Sequence, residues 1–314
     1  MNSTQVSYFA LVAYFDAKLF KYVFFIIVLI LYIAVICANV CVIVVICVNR
    51  SLHEPMYLFL VSLCVNELYG SSGLFPFLLL QILSDLHTVS AAACFLQIFC
   101  IYSYGSIELL NLAVMSYDRY LAVCFPLQYN ARMTNNKVII LVALIWFLIF
   151  LVNFLTLSLI VPLQLCGNVI NKVYCDNHSV VKLACSDTSV YNVYGLSVTS
   201  LSVFCPVILI FSSYIKILRV CFSGSRQTRQ KAVSTCTPHL ASLLNFSFAA
   251  FFEILQSRFD MSAVPNVLRI FLSLYFLTCP PLFNPLMYGL KLPKIRVVCK
   301  HLISNFFEIK LSLM

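Results

Sequence analysis

The sequence predicts an all-α integral membrane protein, a bundle of seven transmembrane helices whose amino terminus lies outside the membrane. Three observations carry this prediction: the composition, the spacing of charge-free stretches and the distribution of basic residues. Of 314 residues, 62% are hydrophobic and 10% are charged, whereas about 25% are charged in a typical soluble domain. A soluble fold cannot bury so large an apolar fraction, so lipid must be part of the solvent around this chain.

Charge-free stretches divide the chain into seven candidate spans, each long enough for the roughly 20 residues that cross a bilayer. Five stretches contain no Asp, Glu, Lys or Arg, and they cover residues 22–49, 138–171, 188–215, 232–252 and 270–290. Two more become spans if one acid each is tolerated. Residues 56–84 contain Glu67, and residues 86–117 contain Glu108.

The basic residues predict the orientation. With the amino terminus outside, fourteen of the 20 lysines and arginines fall on the inner side, five fall outside, and Arg269 lies near the outer surface. An excess of basic residues in cytoplasmic segments is the usual pattern, and the opposite topology would invert it. The net charge of +9 therefore reflects membrane topology, and no nucleic-acid partner is expected. Residues 1–21 mix polar, charged and apolar residues. The first span is therefore expected to direct insertion without a cleavable signal peptide.

Three segments follow from this topology: an extracellular amino terminus (residues 1–21), a seven-span domain (residues 22–290) and a cytoplasmic tail (residues 291–314). In the tail, basic and apolar residues alternate at roughly helical spacing. This pattern predicts a short amphipathic helix that lies on the inner leaflet. Cys299 in this helix is either palmitoylated or an unmodified thiol that faces the membrane, and the sequence leaves both open.

Four of the 15 cysteines fall on the oxidising outer side, namely Cys94, Cys166, Cys175 and Cys185. Four cysteines allow three pairings, and the residues alone do not choose among them. A crosslinked outer loop over residues 163–190 is nevertheless expected. The other cysteines lie in spans or face the cytosol, where thiols stay reduced. Asn2 begins an exposed outer Asn-Ser-Thr sequon and is the expected glycosylation site.

Four sequence strings, in order on successive spans, resemble one family. LHEPMYLFL stands at residues 52–60, where the second span begins, and MSYDRYLAVCFP ends the third span at residues 115–126. KAVSTCTPH opens the sixth span at residues 231–239, and PLFNPLMY lies in the seventh span at residues 281–288. Together they resemble the strings of the odorant receptors, a branch of the rhodopsin-like G-protein-coupled receptors. The resemblance covers nearly the whole chain.

The resemblance implies a receptor that binds a small odorant in the outer half of the bundle and activates a stimulatory, olfactory-type heterotrimeric G protein, which raises cyclic AMP. It also implies a plasma-membrane location with an extracellular amino terminus and contact with membrane lipid. The disulfide pairs that it implies are Cys94–Cys175 and Cys166–Cys185. No cofactor is expected beyond an allosteric sodium ion.

The chain departs from the family pattern at a few positions. Ala38 stands where the family usually has Gly, and Glu67 replaces the usual Asp of the second span. Leu290 and Lys291 follow the last span in place of an Arg-Asn pair. Ser247, with Phe248 next to it, occupies the position in the sixth span where an aromatic residue is common. These differences leave the class intact and bear on details of the conformational switch.

The resemblance assigns a conformational switch to the inner ends of the helices. Asp118 and Arg119 hold the resting state as a pair, and Arg119 turns toward Tyr214 and the G protein when the sixth helix swings outward. An arginine suits this role because its guanidinium stays charged and offers several donors. From the residues alone, a snorkelling arginine at a helix end would be the plainer interpretation. The family also implies switch roles for Tyr120, His239, Asn284, Pro285 and Tyr288.

Glu67 and Glu108 are the only charged residues deep within the predicted spans. Glu108 precedes Asp118 by ten residues, about 15 Å along a helix, which places it near mid-membrane. Carboxyl groups inside a membrane are costly and are functional candidates for that reason. The family's polar site falls here, with Asn39 and Asn284 nearby, and a sodium ion or a shared proton would neutralise the acids. Two protonated, hydrogen-bonded acids without an ion are an equally good interpretation.

Alignment to the family predicts a ligand pocket between the third, fifth and sixth spans, lined by Ile101, Tyr102, Gly105, Ser106, Val198, Thr199, Ser202, Ala250 and Ile254. No acid occupies the outer part of the third span, which argues against an amine receptor with its counter-ion on that helix. Arg258-Phe259 resembles an Arg-Phe pair of odorant receptors for water-soluble ligands. Arg258 is therefore expected to bind a carboxylate-bearing odorant. The alternative is a surface arginine screened by Asp260 or Glu253.

Other classes of protein explain the sequence less well. A receptor for another small ligand, expressed outside olfactory tissue, would share every feature above. A transporter would be expected to show inverted repeats or a polar path across the bundle, and neither is visible in the sequence. An intramembrane zinc protease is disfavoured because Tyr57 stands four residues after His53, where a second histidine is needed, and Pro55 would break the helix.

Overall fold

The computed structural model describes residues 6–14, 20–224, 226–258 and 264–291. The helices within these ranges are α1 (Phe20–Val48), α2 (Pro55–Leu83), α3 (Ala91–Cys124), α4 (Tyr129–Arg132), α5 (Asn135–Ile160), α6 (Asn177–Lys182), α7 (Ser189–Ser223), α8 (Arg226–Arg258) and α9 (Asn266–Lys291). Apart from the short α4 and α6, seven of them are long and apolar enough to cross a membrane. The predicted all-α bundle of seven spans is confirmed.

Local signals in the sequence explain where several helices begin. Pro55 stands at the start of α2, a position where its missing N–H leaves no hydrogen bond unmade. Ser90 caps α3, because its side chain accepts a hydrogen bond from the Ala93 amide at 3.3 Å. Thr134 caps α5 in the same way, with the Lys137 amide at 3.4 Å. These caps stabilise the first turns of the helices.

Three helices extend beyond their charge-free stretches by six residues or more. α3 continues to Cys124, although the stretch ends at residue 117, because Asp118 and Arg119 pair with each other inside the bundle. α7 continues to Ser223, past the end of its stretch at residue 215, and α8 begins at Arg226, before residue 232. A charged residue limits what lipid can cover, but it does not end a helix whose backbone hydrogen bonds continue.

The helix α3 lies at the centre of the bundle. It packs against α2, α5, α7 and α8, and half of its side chains are buried. In contrast, α1 and α5 expose large apolar side chains such as Phe24, Ile30, Phe147 and Phe154. Such a surface is costly in water but suits lipid, which is as apolar as the side chains. α3 is therefore the element that can connect the two ends of the bundle.

Three short strands close one end of the bundle. β1 (Tyr8–Leu11) pairs antiparallel with β2 (Thr88–Ser90) and parallel with β3 (Val169–Ile170). Phe9 of β1 is buried in an apolar cluster with side chains of the other two strands. The sequence did not predict this sheet, because strands of two to four residues are too short to show an alternating pattern. We call this end the sheet end, and the end that holds Arg119 the switch end.

Both disulfide pairs implied by the resemblance form at the sheet end. Cys94 of α3 bonds with Cys175, Cys166 bonds with Cys185, and the Cα atoms are 5.5 Å apart in each pair. The first bond ties the long loop before α7 to the central helix. The predicted glycosylation site Asn2, the amphipathic tail helix and Cys299 lie outside the described residues.

Candidate functional site

A cavity of about 240 Å³ opens near the sheet end, between α3, α5, α7, α8 and α9. The predicted pocket residues that line it are Ile101, Tyr102, Gly105, Ser106, Val198, Thr199, Ser202, Ala250 and Ile254. They come from three helices that are far apart in sequence, and the fold brings all nine around one space. Arg258 is the last residue of α8, and its side chain lies outside the described residues. Ligand binding by these residues stays a prediction.

The cavity has further walls that the sequence did not predict. One is formed by Ile149, Val152, Asn153 and Thr156 of α5, and another by the long loop before α7, with Tyr174 and Asp176 and the first α6 residues Asn177 and His178. A signal for the α5 wall was present in the sequence, because Asn153 and Thr156 are polar, stand three apart in an apolar span and so share a helix face. The loop wall carried no such signal, because only tertiary folding lays this loop over the cavity.

The aromatic residue of α8 that faces inward is Phe246, one position before the expected position at Ser247. Ser247 and Phe248 are exposed, whereas Phe246 is buried and lines the cavity. The side chains of consecutive helical residues point about 100° apart, so a shift of one position can turn a side chain from the lipid-facing surface to the core. The Phe246 ring lies 5.7 Å from that of Phe276, which lies 5.6 Å from that of Tyr104. Phe246 and Phe276 line the cavity, and the row of rings continues from them to the fully buried Tyr104.

A buried ion cluster stands at the sheet end of the cavity. The Lys172 ammonium lies 2.9 Å from a Glu253 carboxylate oxygen and 3.3 Å from one of Asp176. Glu253 therefore pairs with Lys172 of the loop. The sequence had suggested Glu253 only as a residue that screens Arg258. Burial acts to raise the pKa of Asp176, but Lys172 and two hydrogen bonds from Ser179 outweigh it and hold that pKa below its ordinary value. Asp176 thus stays ionised.

The two buried acids come together at a polar centre, where the resemblance places the family's polar site. Glu67 of α2 and Glu108 of α3 are fully buried. The amide nitrogen of Asn284 donates to both, at 2.5 Å to Glu67 and 2.8 Å to Glu108. Asn66 adds a hydrogen bond to Glu108 at 3.0 Å, a contact that the sequence did not reveal. Asn39 donates instead to the Pro281 carbonyl at 2.8 Å, so it joins α1 to α9 rather than binding the acids.

The polar centre has the ligands that a small hard cation prefers. One oxygen each of Glu67, Asn66 and Asn284 is buried without a hydrogen-bond partner, and such groups are costly unless a donor or a cation satisfies them. The described residues contain no group of three or more His, Cys, Asp or Glu side chains suited to a metal, so a cation here would rely on two carboxylates and amide oxygens. These residues fit sodium, and they equally fit a proton that bridges the acids.

The switch residues meet at the other end of α3. Asp118 and Arg119 form a buried ion pair, and the Tyr129 hydroxyl donates to the other Asp118 oxygen at 2.7 Å. Arg119 is thus held by its own helix, which excludes the simple snorkelling arginine. Tyr120 is half-buried and stacks on the Lys216 ammonium, 5.0 Å from its ring centre.

His239 of α8 forms hydrogen bonds to both α3 and α7 at the switch end. Its Nε2 lies 2.9 Å from the Leu112 carbonyl of α3, and its Nδ1 lies 2.5 Å from the Tyr214 hydroxyl of α7. A carbonyl can only accept, so Nε2 carries the proton and Nδ1 accepts from the tyrosine. Tyr214 therefore contacts His239 and not Arg119 in this structure. Pro285 lies inside α9, where Tyr288 is buried nearby.

The fold is similar to that of a rhodopsin of known structure. Squid rhodopsin superimposes with a TM-score of 0.73 over 97% of this chain and 92% of that one, at 19% sequence identity. Seven spans in this arrangement define a rhodopsin-like fold.

Sequence comparison then identifies the family. The olfactory receptor family profile matches residues 28–306. Human olfactory receptor 11A1 is 35% identical over 92% of this chain and 91% of its own length. Mouse olfactory receptor 4B13 is 30% identical over 92% of this chain and 94% of its own length. The chain belongs to the olfactory receptor family of G-protein-coupled receptors, and it is a multi-pass membrane protein.

Proposed function

We propose that this odorant receptor binds its ligand in the cavity between α3, α7 and α8 and activates a stimulatory heterotrimeric G protein, which raises cyclic AMP. One observation carries the proposal: α3 lines the cavity with Ile101 and Gly105 at one end and holds the Asp118–Arg119 pair at the other. A ligand that moves α3 or α8 would therefore act directly on the ion pair and on the His239 contacts. Coupling of this kind needs two distinct sites and one structural element whose conformation both sites affect.

The proposed location is the plasma membrane, with the sheet end outside the cell and the switch end in the cytosol. The excess of lysine and arginine in the segments around the switch end supports this orientation. So does the chemistry of the sheet end, because two disulfides are expected on the oxidising side of a membrane. The surrounding lipid would cover the apolar faces of α1 and α5.

A nucleotide-exchange assay tests the function. The receptor is co-expressed with a stimulatory G protein, and membranes are exposed to amino acids, short carboxylic acids, steroids and bile acids. We expect at least one compound to increase exchange, and to raise cyclic AMP in reporter cells that carry the receptor but not in mock cells. Ligand uptake without exchange would favour a transporter. A surface-expressed receptor that drives no exchange with any compound would contradict the proposal.

We further propose that Arg258 binds a carboxylate on a water-soluble odorant, because a guanidinium forms paired hydrogen bonds with that group. Replacing Arg258 with Gln removes the charge and is expected to raise the half-maximal concentration of an acidic odorant about tenfold or more, since hydrogen bonds to charged groups contribute about 1.5–3 kcal/mol. Arg269→Gln is the matched control, because Arg269 lies at the same end and contacts the Asn171 carbonyl at 3.4 Å. Equal dose–response curves for the wild type and Arg258→Gln would contradict this role.

We propose that a sodium ion at the Glu67–Glu108 centre stabilises the resting receptor. Replacing sodium by choline in the medium is then expected to lower the half-maximal ligand concentration roughly fivefold or more, the usual size of coupling between two sites. Glu67→Gln should abolish this sodium effect. Asp85→Asn, which removes an exposed acid paired with Lys21 at 2.9 Å, should keep it. A wild-type response that does not depend on sodium would favour a bridging proton in place of the ion.

A further inference from the structure

The α5 wall of the cavity carries two polar side chains, Asn153 and Thr156, on an otherwise apolar helix. They are 8% and 7% exposed, and because they stand three residues apart they share one helix face. The pocket implied by the resemblance included no residue of this fourth span. Polar groups inside a membrane helix are costly unless they find partners. The two residues are therefore candidates for direct contact with a ligand.

Asn153 has an unused hydrogen-bond acceptor. Its amide nitrogen donates to the Ile149 carbonyl at 2.9 Å, one turn back on its own helix. Because a carbonyl can only accept, this bond distinguishes the nitrogen of the side chain from its oxygen. Within the part of the chain that the structure describes, the Asn153 oxygen has no hydrogen-bond partner. Since Asn153 lines the cavity, a bound molecule can supply the missing donor.

The neighbouring polar groups of the wall also offer acceptors. The Thr156 hydroxyl donates to the Val152 carbonyl at 2.9 Å, and the Ser202 hydroxyl of α7 donates to the Thr199 carbonyl at 3.1 Å. A hydroxyl has one proton, so these two oxygens have lone pairs left for a ligand but no donor. The Asn177 side-chain oxygen is likewise buried without a partner among the described residues. A ligand that complements this wall therefore brings a hydrogen-bond donor.

The other walls supply apolar contact and closed ion pairs. Much of the remaining lining is apolar, including Ile101, Leu109, Ile149, Phe246 and Phe276. Apolar burial adds affinity without direction, whereas a few placed polar groups fix orientation and specificity. The carboxylates of Asp176 and Glu253 are held by Lys172. The neutral acceptors of the α5 wall are thus the groups that can select one functional group of a ligand over another.

We propose that Asn153 is a specificity-determining residue of the ligand site, and that its side-chain oxygen accepts a hydrogen bond from the hydroxyl of an apolar alcohol. The proposal rests on the proposed function, because it names the chemistry of the receptor's ligand. A ketone or an ether of the same shape brings a further acceptor and leaves the Asn153 oxygen unpaired. Sites that bond a hydroxyl discriminate strongly against analogues without one. A hydroxy acid would use both Asn153 and the proposed Arg258 contact.

Probes that differ in the hydroxyl test this preference. Cyclic-AMP reporter cells receive cyclohexanol and cyclohexanone, menthol and menthone, benzyl alcohol and benzyl methyl ether, and phenyllactic acid and phenylpropanoic acid. We expect the hydroxyl compound of at least one pair to activate the receptor at a half-maximal concentration about tenfold or more below that of its partner. Equal potency within every pair, or activation confined to compounds without a hydroxyl, overturns the proposal and leaves the receptor function intact.

Variants then assign the preference to Asn153. Asn153→Leu replaces the carboxamide by an apolar group of similar size, so it should raise the half-maximal concentration of the preferred alcohol about tenfold or more. The response to the matched ketone or ether should stay nearly unchanged. Asn153→Gln keeps a carboxamide and should retain part of the preference. Ser158→Ala is the matched control, because Ser158 is an exposed polar residue of the same helix that donates to the Leu155 carbonyl at 2.7 Å.

Two failures are distinguishable in these experiments. If Asn153→Leu reaches the cell surface and keeps the wild-type ratio between alcohol and partner, Asn153 does not determine specificity and the proposal fails. If Asn153→Leu is not expressed, the probe pairs on the wild type and on Asn153→Gln still decide. Silence of the wild type toward every probe and in the exchange assay would contradict the proposed function itself.

Discussion

Replacing Arg119 with Gln is expected to reduce ligand-stimulated nucleotide exchange to the background level, while the receptor still reaches the cell surface. Arg119 is buried at the switch end and pairs with Asp118 in the resting arrangement. Removing one partner of a buried pair costs about 3–5 kcal/mol because the other charge stays behind. Here the Tyr129 hydroxyl, 2.7 Å from Asp118, would satisfy part of that charge, so the fold should survive. What is lost is the guanidinium that the active state would present to the G protein.

A variant of the partner residue, Asp118→Asn, distinguishes a pair that acts as a conformational switch from a pair that only supports the fold. Asp118→Asn removes the charge that holds Arg119, and it should raise basal exchange roughly fivefold or more, within the usual range of such coupling. Arg132→Gln is the matched control, because Arg132 lies at the same end and stacks on the Phe125 ring at 4.6 Å without contacting Asp118. Basal exchange, surface expression and ligand response are measured for all three variants. A loss of activity in both Asp118→Asn and Arg119→Gln would show that the pair only supports the fold.

Replacing Cys175 with Ser is expected to remove most folded receptor from the cell surface. The Cys94–Cys175 bond joins residues 81 positions apart and holds the loop that covers the cavity. Loss of a native disulfide usually costs about 2–5 kcal/mol. Both sulfurs lie in the apolar cluster of Phe9 and Ile170, so the serine hydroxyl would also be buried in an apolar site.

Surface labelling and a thermal melting curve measure this loss. Cys166→Ser should have a smaller effect, because its bond spans 19 positions and both of its cysteines are exposed and lie outside that apolar cluster. Cys205→Ser is the control, since Cys205 is an exposed free thiol on α7. Normal surface levels and unchanged melting of Cys175→Ser would contradict the structural role of this disulfide.

Much of the candidate site could be predicted from the sequence because its residues stand on regular helices. The nine cavity-lining residues were implied by alignment to the family, and this alignment holds because matching positions on equivalent helices face the same way. The same rule failed at Phe246, where an offset of one residue separates a buried from an exposed position. It also gave no access to Asp176 and Glu253, whose approach depends on the path of an irregular loop.

By itself, the sequence determined that the chain crosses a membrane seven times, that two acids lie near mid-membrane and that Arg119 follows Asp118 at a helix end. These features depend on composition and on the local sequence pattern. Because unpaired charge is excluded from lipid, the positions of charged residues directly indicate where the chain crosses the membrane. The tertiary structure alone decided that Asn284 bridges the two acids, that Asn39 binds α9 instead, and that Lys172 draws an acid of the loop and an acid of α8 to the cavity. Such contacts join residues far apart in the chain, and they form only where packing places their side chains within hydrogen-bond reach.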